Sequence, residues 1–301
     1  MRSVAGRAAR AFSLVEVLVV AALMSVIILG LMAMFNQTQR AFRLGMSQTD
    51  VLENGRMTTE LIVRDMGQIA PFGYPRLSNA PNFSVELFNA YNASLIPQPG
   101  LRTNVLNDAF FMVRENRTWK GIGYFVRTQI TNSIAAMTGP VGTLYRFEVS
   151  YPEWQLQTNH PSLFLRAYDF SRLGRTGTTN LARILDGVVH FRVRVYDTNG
   201  FWINPFDFGT DTPIRRSVTL AGYPVQGEVA SSQFYDRAVP AFVEVEIGVL
   251  ERQALERYQA IPVLPGGNDT ARRNYLQQQI GRVHVFRQRI PIRNVDFAAY
   301  Q

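Results

Sequence analysis

Nineteen consecutive residues, Val17 to Phe35, carry no charge and a single hydroxyl, Ser25. As a helix rising about 1.5 Å per residue, this run nearly matches the thickness of a bilayer core of about 30 Å. Arg2, Arg7 and Arg10 precede it, no acidic residue does, and no basic residue follows until Arg40. That asymmetry keeps the N-terminal end cytoplasmic and sends the remainder across the membrane. Glu16 stands where the apolar run begins. A carboxylate costs roughly 2.5–3.5 kcal/mol at mid-bilayer and less near the interface, so it needs a partner. Cleavage between Ala11 and Phe12 would supply one, a new α-amino cation four residues before Glu16. The alternative is an ordinary first-turn glutamate held by the helix dipole, at about 0.3–1 kcal/mol.

The full string is more specific than the glutamate. A short basic leader, a small residue (Ala11), then Phe12-Ser13-Leu14-Val15-Glu16 and an apolar helix resemble the N-terminal cleavage and methylation signature of type IV pilins and type II secretion pseudopilins. The resemblance covers about residues 1–40 closely. It implies that prepilin peptidase cuts after Ala11 and methylates the Phe12 amine, and that Glu16 is the carboxylate used in filament assembly. Ala11 stands where the family usually has glycine. Ala33 replaces the helix-kinking proline of many major pilins, which implies a straighter helix. Shorter strings, Leu185-Asp186-Gly187-Val188-Val189-His190-Phe191, Pro240-Ala241-Phe242-Val243-Glu244-Val245 and Ile292-Arg293-Asn294, resemble the large minor subunits, pseudopilin J and the W-type minor pilins.

The 301 residues, 47% of them hydrophobic, are enough to build a sizeable core beyond the apolar helix. The formal charge is +8, of which the three leader arginines carry part, and Lys120 is the only lysine. Without cysteine the exported part has no disulfide staple and no thiolate metal site, so its core alone must hold it together.

Residues 1–11 read as a leader and 12–38 as the transmembrane or filament-core helix. Residues 39–301 read as a periplasmic α+β, pilin-like head that includes the amphipathic half of the helix. From Asn36 the sequence turns polar but keeps helical spacing. Leu44, Val51, Gly55, Ile62, Met66 and Ile69 form one stripe, with Glu53, Glu60 and Arg64 opposite and Glu60–Arg64 a favourable i,i+4 pair. One helix from Phe12 to about Gln68 is expected, the apolar half giving way to a half with one apolar face; a coiled coil is the alternative.

Pro71 to Asn107 reads as a long connection, broken by Pro71, Pro75, Pro81, Pro97 and Pro99. Strands are expected over Ala109–Arg114, Gly121–Arg127, Thr143–Tyr151, Leu163–Tyr168, Val188–Tyr196, Val239–Leu250 and Val283–Ile292. In Val188–Tyr196 the residues Val189, Phe191, Val193 and Val195 alternate with His190, Arg192, Arg194 and Tyr196. Phe201–Gln233 reads as a second irregular excursion, and Glu251–Tyr258 and Thr270–Gln279 as short helices. The sheet is expected to be antiparallel, packed on the amphipathic half of the long helix.

Catalytic chemistry is hard to find. His160, His190 and His284 are scattered and form no zinc-type pair. Gly121-Ile122-Gly123 opens a strand and lacks the Lys-Ser/Thr of a phosphate loop, so it reads as sheet glycine. Asp207-Phe208-Gly209-Thr210-Asp211 offers oxygens to calcium but lacks the carboxylate density of a calcium loop. Arg192/Arg194, Arg215–Arg216 and Arg272–Arg273 are basic sites that a DNA-uptake subunit would use; solvated or carboxylate-paired arginines are the competing reading.

The resulting expectation is a structural minor pilin or pseudopilin at a filament tip, without enzymatic activity, cofactor or metal. Its partners would be prepilin peptidase, other pilin or pseudopilin subunits and the inner membrane, with no role for nucleic acid. A DNA-contacting pilus subunit and a signal-anchored periplasmic enzyme are the competing classes.

Overall fold

The computed structural model describes residues 13–73, 80–91, 104–128, 139–156, 162–175, 180–203, 213–215, 218–221, 231–262 and 270–300. The chain divides into two compact units, Met1–Thr49 and Asp50–Gln301, and helix α1 (Leu14–Met66) contributes to both.

From Val17 to Phe35, in the first unit, α1 is apolar on every side and its large apolar side chains are uncovered: Leu18, Ile27 and Phe35 are all more than half exposed. Its few hydroxyls are satisfied locally. Ser25 Oγ donates to Ala21 O at 2.8 Å and Thr38 Oγ1 to Met34 O at 2.9 Å. Back-bonding of this kind lets a serine sit among apolar residues without an orphaned donor.

The second unit is an α+β head built on one antiparallel sheet, with ten strands among the described residues. They are β1 (Phe83–Tyr91), β2 (Asn104–Glu115), β3 (Thr118–Arg127), β4 (Gly142–Pro152), β5 (Leu181–Tyr196), β6 (Pro213–Arg215), β7 (Val218–Ala221), β8 (Ser231–Phe234), β9 (Phe242–Leu250) and β10 (Val283–Pro291). The spatial order is β10-β9-β5-β4-β3-β2-β1-β8-β7-β6. A single parallel bridge, Leu106 to Phe191, also joins β2 to β5, so β2, β3, β4 and β5 close on themselves.

This closure is possible because β5 changes partners along its length. Its first half pairs with β4 and its second half with β9. Gly187, at φ +74°, sits at the changeover, followed by a bulge between Val188 and His190. A residue with a Cβ would be strained there. Where β2 and β5 face each other without a regular ladder, side chains supply the hydrogen bonds. Val193 N donates to Asn107 Oδ1 at 2.9 Å, and Val105 N donates to His190 Nδ1 at 3.1 Å. His190 is therefore a structural histidine with its Nδ1 unprotonated.

Two cores lie on opposite faces of this sheet. On one, Ile62, Met66 and Ile69 pack with Phe83, Phe111, Tyr124, Phe191 and Ile247. The predicted stripe is buried on α1 at Val51, Gly55, Ile62 and Met66. Ile69, also buried, lies beyond the helix end and bridges to Val113 of β2, and the side chain of Leu44 lies outside the described residues. Two polar residues, Thr58 and Asp65, complete the buried face. Glu60 does not pair with Arg64: Arg56 Nε takes it instead at 2.9 Å, on the exposed side of the helix.

On the other face, Phe110, Phe125 and Phe147 pack against α3 (Ser162–Arg172) through its Phe164 and Tyr168. Here the predicted strand Leu163–Tyr168 is a helix. The six-residue window is too short to separate the periods. Phe164, Tyr168 and Ser171, at i, i+4 and i+7, form the buried face. Gly121 and Gly123 make room for it, since a Cβ on Gly123 would collide with the Tyr168 ring and one on Gly121 would crowd Phe164. They are sheet glycines. A short helix α2 (Glu153–Leu156) follows β4, and α4 (Arg252–Ala260) and α5 (Thr270–Gln277) cover a third cluster around Val189, Leu250 and Val283.

The two stretches expected to be irregular contain strands. Within Pro71–Asn107, β1 lies between Pro81 and Pro97, so the prolines bound it and do not interrupt it. Within Phe201–Gln233, β6, β7 and the start of β8 are short. They gain their place by pairing through β8 with distant β1 (Phe83 opposite Phe234) and by burying Val218, Leu220 and Phe234 in the core. The other predicted strands are present with ends displaced by a few residues, as in β5, which begins at Leu181.

Candidate functional site

Ser13 precedes the first turn of α1, where Glu16 N and Val17 N both donate to Ser13 O, at 3.0 and 3.2 Å. Glu16 is thus the third helical residue, three after the serine, which is the spacing of a capping box. Its side chain is exposed, as are Leu14, Val15 and Val17 around it. Ala11 and Phe12 lie outside the described residues. A carboxylate in the first turn complements the positive helix end, and on this helix it is surrounded by uncovered hydrocarbon. α1 is long and apolar enough to span a membrane, and its large apolar side chains from Leu14 to Phe35 are exposed among the described residues. A helix apolar all round is stable only in lipid or among other apolar helices.

Among the described residues Glu16 is the one predicted cleavage, methylation or assembly residue. The head has its own charged clusters, none of which the sequence reading picked out. Asp65, on the buried face of α1, accepts from Tyr124 Oη at 2.7 Å and from Arg146 Nε at 2.6 Å. Burial pushes the Tyr124 phenol well above its usual pKa, and the Asp65 carboxylate adds to the shift. For Arg146, burial pulls its pKa down, but hydrogen bonds to Asp65 and Glu148 outweigh that and hold the guanidinium firmly charged.

A second cluster centres on Asp108, which is fully buried. It accepts from Arg127 Nη1 at 2.8 Å and from Arg172 Nη1 at 2.7 Å, and Arg172 also donates to Glu86 and Asp169. Burial opposes the charge on Arg172, and Asp108, Tyr168, Glu86 and Asp169 together more than restore it. The Arg127 guanidinium stacks on Phe88 at 3.4 Å. Apart from Arg127 Nε, which has no hydrogen-bond partner among the described residues, these are paired charges, an arrangement that fixes packing.

Of the six arginines weighed for nucleic acid, three are committed, Arg273 is exposed, and the side chain of Arg215 lies outside the described residues. Arg192 is buried and donates to Glu246. Arg194 stacks on Trp202 at 4.5 Å. Arg272 donates twice to Ile261 O and stacks on Tyr258. Arg216, His160 and the Asp207–Asp211 turn lie outside the described residues. His284 Nε2 lies 3.1 Å from Glu251 Oε1. Among the described residues no group of three His, Asp or Glu side chains gathers as a metal site would require.

A cleft of about 460 Å³ on the head lies between Val51 and Asn54 of α1, residues 183–186 of β5, and Leu255 and Gln259 of α4. Its rim carries the exposed pairs Arg183–Asp186 and Arg252–Glu256, and its floor is Leu185, Val249 and Leu250. No nucleophile–base pair lines it.

No protein-family model matches the chain, and neither a curated protein nor a solved structure matches it.

The buried charges were missed because the apolar stripe was read from apolar residues alone. Thr58 and Asp65 continue its spacing after Val51 and Gly55, and a polar residue in phase with a buried stripe is the signal that would have found them.

Proposed function

We propose that this protein is a minor pilin or pseudopilin, a structural subunit of a type IV pilus or type II secretion pseudopilus. The observation that carries the reading is the exposed Glu16 in the first turn of an uncovered, all-round apolar helix, directly after the string Ala11-Phe12-Ser13. Prepilin peptidase cleaves between Ala11 and Phe12 and methylates the new amine. Before assembly α1 sits in the inner membrane with its N-terminus cytoplasmic and the head periplasmic. In the filament the helices of neighbouring subunits replace lipid around Val17–Phe35, and Glu16 meets a subunit amine, which sets axial register. A large head with long insertions suits a low-copy tip position better than a repeating one, since bulky surfaces obstruct close helical packing. The protein acts by packing and has no turnover.

Intact-mass and N-terminal analysis of membrane-extracted protein, from cells with and without prepilin peptidase, tests this. The expected mature chain begins at N-methylated Phe12. A chain left uncut in the presence of the peptidase, or a mature start beyond Phe35, refutes the reading.

A further inference from the structure

Strand β10 closes one side of the sheet and pairs with β9 over its whole length, Val283 opposite Leu250 through Pro291 opposite Phe242, without a bulge. The hydrogen bonds just beyond each end fix its phase. Ile292 N donates to Ala241 O at 3.0 Å, and Arg282 O accepts from Glu251 N at 3.0 Å. In an antiparallel ladder the N–H and C=O of one residue point the same way and alternate along the strand. His284, Phe286, Gln288 and Ile290 therefore spend their backbone groups on β9. Val285, Arg287 and Arg289 aim theirs away from the sheet.

Those same three residues are exposed. Among the described residues nothing reaches their outward N–H groups, and the only bond to an outward carbonyl is a long one, Gln288 Nε2 to Arg289 O at 3.4 Å. Pro291, which has no N–H, ends the open stretch. Proline is tolerated on an edge and blunts it there.

We propose that β10 is a docking edge that receives an extended acidic segment of a partner protein as an added antiparallel strand. The charges select the occupant. β10 carries His284, Arg287 and Arg289 and no acidic residue. Inside the fold it is already held by an acidic strand, β9, whose Glu244 Oε2 accepts from Arg287 Nη2 at 2.8 Å. Arg287 remains half exposed in that pair. Arg289 stacks on Tyr196 and Phe242 at 4.5 and 4.6 Å and has no carboxylate partner among the described residues. A second copy of β10 is disfavoured, because two-fold pairing about Gln288 sets Arg287 against Arg289 twice. A strand with carboxylates at alternate positions meets both arginines and takes up the open backbone groups. The inference rests on the head alone and holds whether or not the helix enters a filament.

The test uses the full chain in detergent and a synthetic nonapeptide of alternating glutamate and threonine, with the lysine–threonine peptide as control. Residue-resolved hydrogen exchange should show the amides of Val285, Arg287 and Arg289 slowed by about tenfold or more by the acidic peptide only. Phe286 and Gln288, bonded to β9, should not change. Val285→Pro removes one outward N–H and leaves both the β9 ladder and the Arg287–Glu244 pair whole, so it should abolish peptide binding at unchanged Tm. Arg289→Glu, which leaves the backbone intact, should shift preference to the lysine peptide. Equal slowing by both peptides, slowing of neither, undiminished binding by both variants, or slowing that grows with protein concentration alone would overturn the proposal.

Discussion

Arg146 Nε donates to Asp65 Oδ2 at 2.6 Å, tying the last turns of α1 to strand β4, eighty-one residues further along the chain. The same oxygen takes the Tyr124 hydroxyl, so one buried carboxylate joins the helix to two neighbouring strands. Replacing Asp65 with alanine strands a guanidinium and a phenol in the core. The expected loss is about 3–5 kcal/mol of head stability, read by urea denaturation. Retention of wild-type stability would mean that water enters the site and the joint is dispensable.

Tyr124 and Tyr168 give the head an alkaline limit. Burial raises both phenol pKa values, with Asp65 adding to the first and Asp108 to the second. The unfolded chain releases tyrosine protons near pH 10, and the folded head resists doing so. This contribution to stability is complete below that pH and is lost as pH rises further. Denaturation midpoints should therefore fall steadily above about pH 10, with a shallower slope in Tyr124→Phe. A slope unchanged in that variant would assign the alkaline loss elsewhere.

Asp108 balances two buried arginines. Asp108→Asn keeps the shape but removes the charge facing Arg127 and Arg172, at an expected cost of about 3–5 kcal/mol. The double variant Asp108→Leu/Arg127→Met replaces the pair with hydrocarbon and should recover part of that loss. A double variant less stable than Asp108→Asn would show that the charge pair itself is what the site requires.

Gly123 marks the seat of α3. A Cβ there overlaps the Tyr168 ring, so Gly123→Val should displace the helix and lower stability by about 1–3 kcal/mol. Gly30 has no atom within 4 Å of its Cβ position. Gly30→Ala should leave head stability as it is, measured by the same unfolding curve. Ile62, fully buried between α1 and the sheet, gives the strongest contrast. Ile62→Asp places an unpaired charge there and should cost several kcal/mol; unchanged thermal stability would mean that this half of α1 stands free of the sheet.

Glu16 tests the assembly reading. Glu16→Val removes the costly carboxylate, so membrane insertion should be kept or strengthened while filament or tip-complex assembly fails or slows. Assembly at wild-type yield, followed by shear fractionation or co-purification, would reduce Glu16 to a first-turn residue.

The sequence by itself determined the elements whose signal is local and long. The charge-free run Val17–Phe35 admits little but a helix in an apolar environment. The spacing of Val51, Ile62, Met66 and Ile69 carried that helix into the head. Alternation over Val188–Tyr196 and Val283–Ile292 gave strands, though not their ends. Tertiary structure alone decided which charged residues lie inside. Nothing near Asp108 or Arg192 in the chain distinguishes them from surface residues, because their partners are Arg172 and Glu246. Asp65 keeps the phase of the buried stripe, but its partner Arg146 lies eighty-one residues away. A buried charge is tolerable only when a distant one arrives beside it. For the same reason α3 read as a strand, since its helical face is defined by two glycines on β3. The strands β6 to β8 were invisible, because runs of three or four residues are too short to show a period and their pairing with distant β1 is tertiary.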